Sequence, residues 1–295
     1  MADRQTEAPP LPGYDGYEYF RVTRPGGRHT AHVEVNRARK LNAFVPDMWR
    51  EMGEVFGRLG REAEVRAVVL SGAGPRAFSA GLDVGDAAGE GALAPGEGMD
   101  AARRAWALRR TIEEFQGCVG EIERCEKPVI CVLHGISFGL AIDIACCADI
   151  RLCSLDTRFS VKEVDIGLAA DIGTLARLPK IVGSTTWVKE VCLTGREFSA
   201  GEALSFGFVS RVLDDKASAV EAGIALAATL AEKSPVAVQG TKELLNHGRE
   251  HSTSESLRYT AVWNSVAVQT GDVAVAIDSV IGKGKGKSKP VFEKL

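Results

Sequence analysis

The chain of 295 residues is 45% hydrophobic and 25% charged, proportions that fit a globular protein with a sizeable core and exclude a disordered or fibrous one. Its net charge of −3 excludes a global basic field, so nucleic acid and anionic membrane are not expected partners unless they are met locally. Seven cysteines, odd in number, without a CxxC and mostly inside apolar runs, fit a reducing, intracellular setting in which the thiol packs as a small hydrophobe.

Residues 1 to 15 read as a disordered arm; MADRQTEAPPLPGYDG has neither an apolar signal core nor an Arg-rich amphipathic pattern, so no secretory or transit segment is expected there. The stretches YEYFRVT (17 to 23) and TAHVEVN (30 to 36) alternate as strands. A helix follows, with Pro46 near its first turn and Met48, Met52, Val55, Phe56 and Leu59 at helical spacing. RAVVLSG (66 to 72) is a short buried strand. The Gly-rich stretch 85 to 98 reads as a mobile loop, and a long amphipathic helix covers 99 to 123. KPVICVLHG (127 to 135) and DIRLCS (149 to 154) are strands flanking a nearly all-apolar helix, FGLAIDIACCAD (138 to 149). Strands alternating with helices predict a layered α/β core over 16 to 213.

Beyond it the pattern is helical, at 184 to 192, 199 to 206, 216 to 232, 235 to 249 and 253 to 281, with one strand at 209 to 213. Residues 214 to 281 are thus a C-terminal helical region, and 282 to 295 a basic tail containing GKGKGKSK. No window reaches membrane-spanning length without charges.

Three carboxylates stand out. Asp143 is the sole charge in a helix apolar on every face, where an unpaired carboxylate costs several kcal/mol unless hydrogen bonds or function justify it. If FSVKEVD (159 to 165) is extended, Glu163 shares a face with Phe159 and Val161; the plain alternative is a solvated strand end paired to Lys162 or Arg158. Asp171 precedes a short helix and reads locally as its N-cap, while Asp165 reads as a solvated charge. Gly81 in AFSAGLD, and Gly135 and Gly139 in HGISFGLAID, mark tight turns whose backbone N–H groups suit an oxyanion. The other chemistries lack their signatures: GAGP is not a dinucleotide fingerprint, no Walker sequence or GxSxG elbow is present, the five histidines show no zinc spacing, and His134 reads as a packing histidine.

Together RARKLNAF (37 to 44), AFSAGLD (77 to 83), KPVICVLHGISFGLAIDIACCADIR (127 to 151), FSVKEVDIGLAADIGTLARLPKIVG (159 to 183) and SPVAVQGTKELL (234 to 245) resemble the enoyl-CoA hydratase/isomerase (crotonase) superfamily over residues 17 to 295. Within it they are most similar to the Δ(3,5)-Δ(2,4)-dienoyl-CoA isomerase branch. The hydratases carry two glutamates and a glycine at the positions of Asp143, Glu163 and Asp171; the dienoyl isomerases carry the Asp, Glu and Asp seen here.

The resemblance implies a spiral of ββα units with a C-terminal helical region, assembled as a homotrimer or homohexamer. It implies an acyl-CoA thioester substrate in fatty acid β-oxidation, with no cofactor beyond the coenzyme A that the substrate carries. It assigns Asp171 as base at C2, Glu163 as donor near C6 and Asp143 as a tuning group, with the N–H groups of Leu82 and Leu140 as oxyanion hole. Ala43 and Ala80 would meet coenzyme A through their backbones, and Arg39 or Lys40 its phosphates. Leu140 departs from the family's usual glycine and would add bulk beside the thioester. Hydration or a biosynthetic isomerisation on the same scaffold, and a CoA- or RNA-binding relative without activity, are the alternatives. The terminal FEKL departs from the peroxisomal SKL, leaving peroxisome, mitochondrion and cytoplasm open.

Overall fold

The computed structural model describes residues 8 to 25, 29 to 83, 85, 98 to 281 and 289 to 295. The Gly-rich loop and the Lys/Gly tail therefore lie almost wholly outside the described residues, as does the start of the arm. Where the arm is described it is packed: Leu11 and Tyr14 are buried, and the Leu11 N–H donates to the Val22 carbonyl at 3.0 Å.

Each turn of the chain gives one strand to a large sheet and one to a small sheet. β1 (Phe20–Thr23) and β2 (Thr30–Val35) begin the large one. β3 (Ala67–Gly72) is followed by β4 (Ala77–Ser79), β5 (Val129–Leu133) by β6 (Ile136–Phe138), and β7 (Ile150–Ser154) by β8 (Arg158–Ser160). β9 (Phe198–Ser199) and β10 (Arg211–Leu213) complete the set. The large sheet runs β1-β2-β3-β5-β7-β10 and the small one β4-β6-β8-β9. Pairing is parallel except at β1/β2 and β8/β9. This is the expected spiral of ββ turns joined by helices. The small sheet is invisible to periodicity because two or three residues cannot show an alternation.

The helices follow from apolar stripes. α1 (Pro46–Arg61) buries Met48, Trp49, Met52, Val55, Phe56 and Leu59, one face at 3.6-residue spacing. It packs on α2 (Ala101–Arg124), where Trp49 stacks on Phe115 with centroids 4.6 Å apart. Only the second half of α2 has buried residues, Phe115, Val119, Gly120 and Ile122; these place its C-terminal half beside the site. α3 (Leu140–Cys147) is buried at every residue. α4 (Thr174–Ile181), α5 (Thr185–Thr194) and α6 (Ala200–Ser205) follow. α7 (Lys216–Ala231) lies on the large sheet through Ala219 and Ala227, so the expected boundary at 213 falls just before a helix that covers the core.

α8 (Pro235–Gly248), α9 (Thr253–Ala267) and α10 (Gly271–Ile281) close the chain. The single helix expected over 253 to 281 is broken at 268 to 270, where the Thr270 hydroxyl accepts from the Asp272 N–H at 3.3 Å and competes with the helical ladder. The extended reading of 159 to 165 is also corrected. The strand ends at Ser160 and a 3-10 turn spans Glu163–Ile166, because Lys162 pairs with Asp165 at 2.9 Å and its ammonium also donates to the Gly195 carbonyl. Gly167, at φ +79, then reverses the chain.

Candidate active site

β4 and β6 are neighbours in the small sheet and end in two glycine turns, at Gly81 (φ +95) and Gly139 (φ +53). The turns touch: a Cβ on Gly81 would stand 3.0 Å from the Phe138 carbonyl oxygen and 3.6 Å from the Leu140 nitrogen, and one on Gly139 would stand 3.9 Å from Gly81 Cα. Only glycine combines this backbone conformation with this approach. Leu140 is the first residue of α3, so its N–H has no intrahelical acceptor. Leu82 bridges Phe44: the Phe44 N–H donates to the Gly81 carbonyl at 2.8 Å and the Asp83 N–H to the Phe44 carbonyl at 2.9 Å. In that pairing the Leu82 N–H faces away from Phe44. Neither N–H meets an acceptor among the described residues. The two turns expected to converge on one oxygen do lie together.

The flanking segment 37 to 44 is held by Asn42, which is fully buried at φ +53. Its amide nitrogen donates to the carbonyls of Ala73 and Ala77, and its amide oxygen accepts from the Arg37 N–H. Arg37 in turn donates to the Ala43 carbonyl and pairs with Asp83 at 2.8 Å. At Ala43 both backbone groups are therefore engaged, since its N–H donates to Lys40. The Ala80 N–H likewise donates to Leu41, which leaves its carbonyl for a ligand. Arg39 and Lys40 stand exposed on a 3-10 turn, with no ion pair among the described residues.

Asp143 is 1% exposed. One carboxylate oxygen accepts from the Thr174 N–H at 2.6 Å and from the Thr174 hydroxyl at 2.8 Å. It thereby caps α4 from a distance, and the cap role read for Asp171 is corrected: Gly173 is the N-cap residue, and Asp171 lies two residues outside. Burial, outweighing these two bonds, raises the Asp143 carboxyl to about 6. Glu163 stands beside the Gly139 turn, its Oε1 3.2 Å from a Cβ placed on Gly139, and its Oε2 is buried without a hydrogen-bond partner among the described residues. Burial foremost, then the Asp143 charge, raises it to about 7. Asp171 sits on the exposed turn before α4, where partial burial of its carboxyl also raises it. Its carbonyl accepts from Gln116 Nε2 at 2.5 Å.

Asp171 lines a cleft of about 320 Å³ with Gln116, Glu123, Gly173, Arg177 and Arg249. Neither glycine turn lines that cleft. Glu163 thus stands beside the glycine turns, and Asp171 lines a cleft of its own. Asp165 is a solvated charge on Lys162, and His134 is a packing histidine: fully buried, bonded through Nε2 to the Gly74 carbonyl, and lowered to about 4 by burial. Leu140 is 3% exposed and belongs to the main apolar cluster. Thr174, Gln116, Asn42 and Arg177 carried no signal in the sequence, since each acts on a residue far from it along the chain.

The chain matches the family described as enoyl-CoA hydratase/isomerase over residues 27–285. It is 46% identical over 279 residues to the mitochondrial Δ(3,5)-Δ(2,4)-dienoyl-CoA isomerase of Homo sapiens, covering 95% of this chain and 84% of that protein. The peroxisomal enzyme of the same name from Arabidopsis thaliana is 38% identical over 264 residues, covering 90% and 92%. Among solved structures, an enoyl-CoA hydratase from Bacillus anthracis superposes with a TM-score of 0.82 at 24% identity, covering 94% of this chain and 99% of that one.

Proposed function

Since the chain belongs to the enoyl-CoA hydratase/isomerase family, we propose that it isomerises 3,5-dienoyl-CoA to 2,4-dienoyl-CoA in fatty acid β-oxidation. The observation that carries this reading is the 46% identity, over 95% of the chain, to a relative named for that reaction. The carboxylates supply the chemistry. A thioester acidifies its C2 proton; Glu163, beside the oxyanion turns, takes it. The electron pair moves onto the thioester oxygen, where the N–H groups of Leu82 and Leu140 stabilise it. Charge spreads along the conjugated chain, and Asp171 delivers a proton to C6, so both double bonds shift with no net gain or loss of atoms. No cofactor is required beyond the coenzyme A of the substrate.

The closeness of Glu163 to the Gly139 turn supports this order, because a base must first be within reach. Burial favours the resting proton on Glu163, so the forward reaction starts from the form in which that proton stands on Asp171. The three carboxylates titrate together, and each turnover returns the proton to Glu163. The Ala80 carbonyl is offered to the pantetheine chain and Arg39 or Lys40 to the phosphates.

Assembly as a trimer or a pair of trimers fits the exposed apolar side chains of α9 and α10. The relatives' organelles favour a mitochondrial or peroxisomal site of action. The assay is direct: 3,5-dienoyl-CoA should gain the absorbance of a conjugated 2,4-dienoyl thioester, and Asp171→Asn should abolish that gain. Hydration of 2-enoyl-CoA with no dienoyl turnover would overturn the reading.

A further inference from the structure

α2 meets the segment that carries Asp171 at two positions on one helical face, Gln116 and Glu123, seven residues apart. Gln116 holds the Asp171 carbonyl. Glu123 uses both oxygens: Oε2 accepts from Arg177 Nε at 2.9 Å, and Oε1 from Arg249 Nη1 at 2.8 Å. The three side chains are 20 to 27% exposed. Arg177 lies against Gly173, where an added Cβ would collide with its guanidinium and stand 3.9 Å from Asp143 Oδ1. The proton-transfer steps use neither Arg177 nor Glu123.

We infer that Arg177, clasped by Glu123, is a positioning residue that fixes the turn bearing Asp171 against α2, and that Arg249 ties this clasp to the end of α8. Asp171 must place its carboxyl within hydrogen-bond reach of C6 from an exposed turn, and a displacement of about 1 Å at such a group costs on the order of 100-fold in rate. Gln116 fixes the turn at one end; Arg177 fixes it six residues on. The guanidinium also opposes the upward push of burial on Asp143. Glu163 has a different anchorage, the 3-10 turn after β8, so the clasp acts on one of the two proton transfers and not on the other.

The inference rests on the proposed isomerisation, and the test separates the two. If the wild-type protein fails to turn over 3,5-dienoyl-CoA, the functional reading falls. If it turns over, Arg177→Met, Arg177→Lys and Glu123→Gln are compared by kcat, KM, pH profile and exchange of the substrate's C2 proton in D2O. Arg177→Met should lower kcat by about 10- to 100-fold with KM nearly unchanged. C2 exchange should persist near the wild-type rate, the alkaline limb of the pH profile should move upward, and Arg177→Lys should restore most of kcat. Glu123→Gln, read by the same measurements, carries the test if Arg177→Met does not fold. Parallel loss of C2 exchange and isomerisation would assign the clasp to general stability and overturn the inference, as would an unchanged kcat.

Discussion

At Asp143 a single carboxylate caps a helix and charges a buried site, and the two effects separate with pH. An asparagine there keeps an oxygen for both Thr174 bonds, so Asp143→Asn removes the charge and leaves the cap. The folded-state value is raised by burial to about 6 from an ordinary 3.8. The folded protein thus holds the proton more tightly than the unfolded chain, and stability falls as pH rises from about 4 to about 6. Above that window the full cost remains, about 3 kcal/mol for a shift of this size. Asp143→Asn should therefore raise Tm at pH 8 and lose this advantage below pH 4, as thermal unfolding at the two pH values would read; equal effects at both would refute the account. Activity titrates in the same groups. Glu163 is raised to about 7, so above that value the trio loses its transferable proton and kcat/KM should fall about tenfold per pH unit. A flat profile from pH 6 to 9 would contradict carboxylate proton transfer.

Elements meet where small residues let them. Gly223 of α7 faces the large sheet, and a Cβ there would stand 2.8 Å from Val132 Cγ2 and 3.4 Å from Val69 Cγ1. Those methyls are fixed in β5 and β3, so added bulk has to lift the helix. Gly223→Val should destabilise by about 1–3 kcal/mol, seen as a lower midpoint in denaturant unfolding with an unchanged slope; an unchanged midpoint would mean that α7 rides free of the sheet. This scale also marks what the sequence could express. α1 is legible because its stripe repeats over sixteen residues, and α3 because a charge interrupts an apolar run. β4, β6, β8 and β9 are not legible, although their sheet positions the two glycine turns, because they are fixed by pairing across the spiral and not by local pattern. Glu163 reaches the Gly139 turn from a 3-10 turn, so the strand alternation that first singled it out was the wrong geometry.

Across the whole molecule, Asp143, Glu163 and Asp171 lie within 29 residues of one another, yet it was the family resemblance and not their spacing that grouped them. Gln116 reaches the Asp171 turn from α2, Glu123 meets Arg177 and Arg249 behind it, and no spacing rule connects them. The C-terminal helices pose the complementary case, in which apolar side chains stand exposed among the described residues. α9 buries no residue; Val262 and Val266, one turn apart, are 63 and 71% exposed, and on α10 Ile277, Val280 and Ile281 are 52, 64 and 79% exposed. Exposed apolar side chains in such number suit an interaction surface, and the proposed self-assembly would cover them, since closed symmetric assemblies bury the same patch on every subunit. Val262→Glu with Val266→Glu leaves the core untouched and places charge on that face. The wild-type protein should elute as a trimer or larger, and the double variant should shift toward monomer with a concentration-dependent Tm. A monomeric wild type at micromolar concentration would show that this face serves another partner.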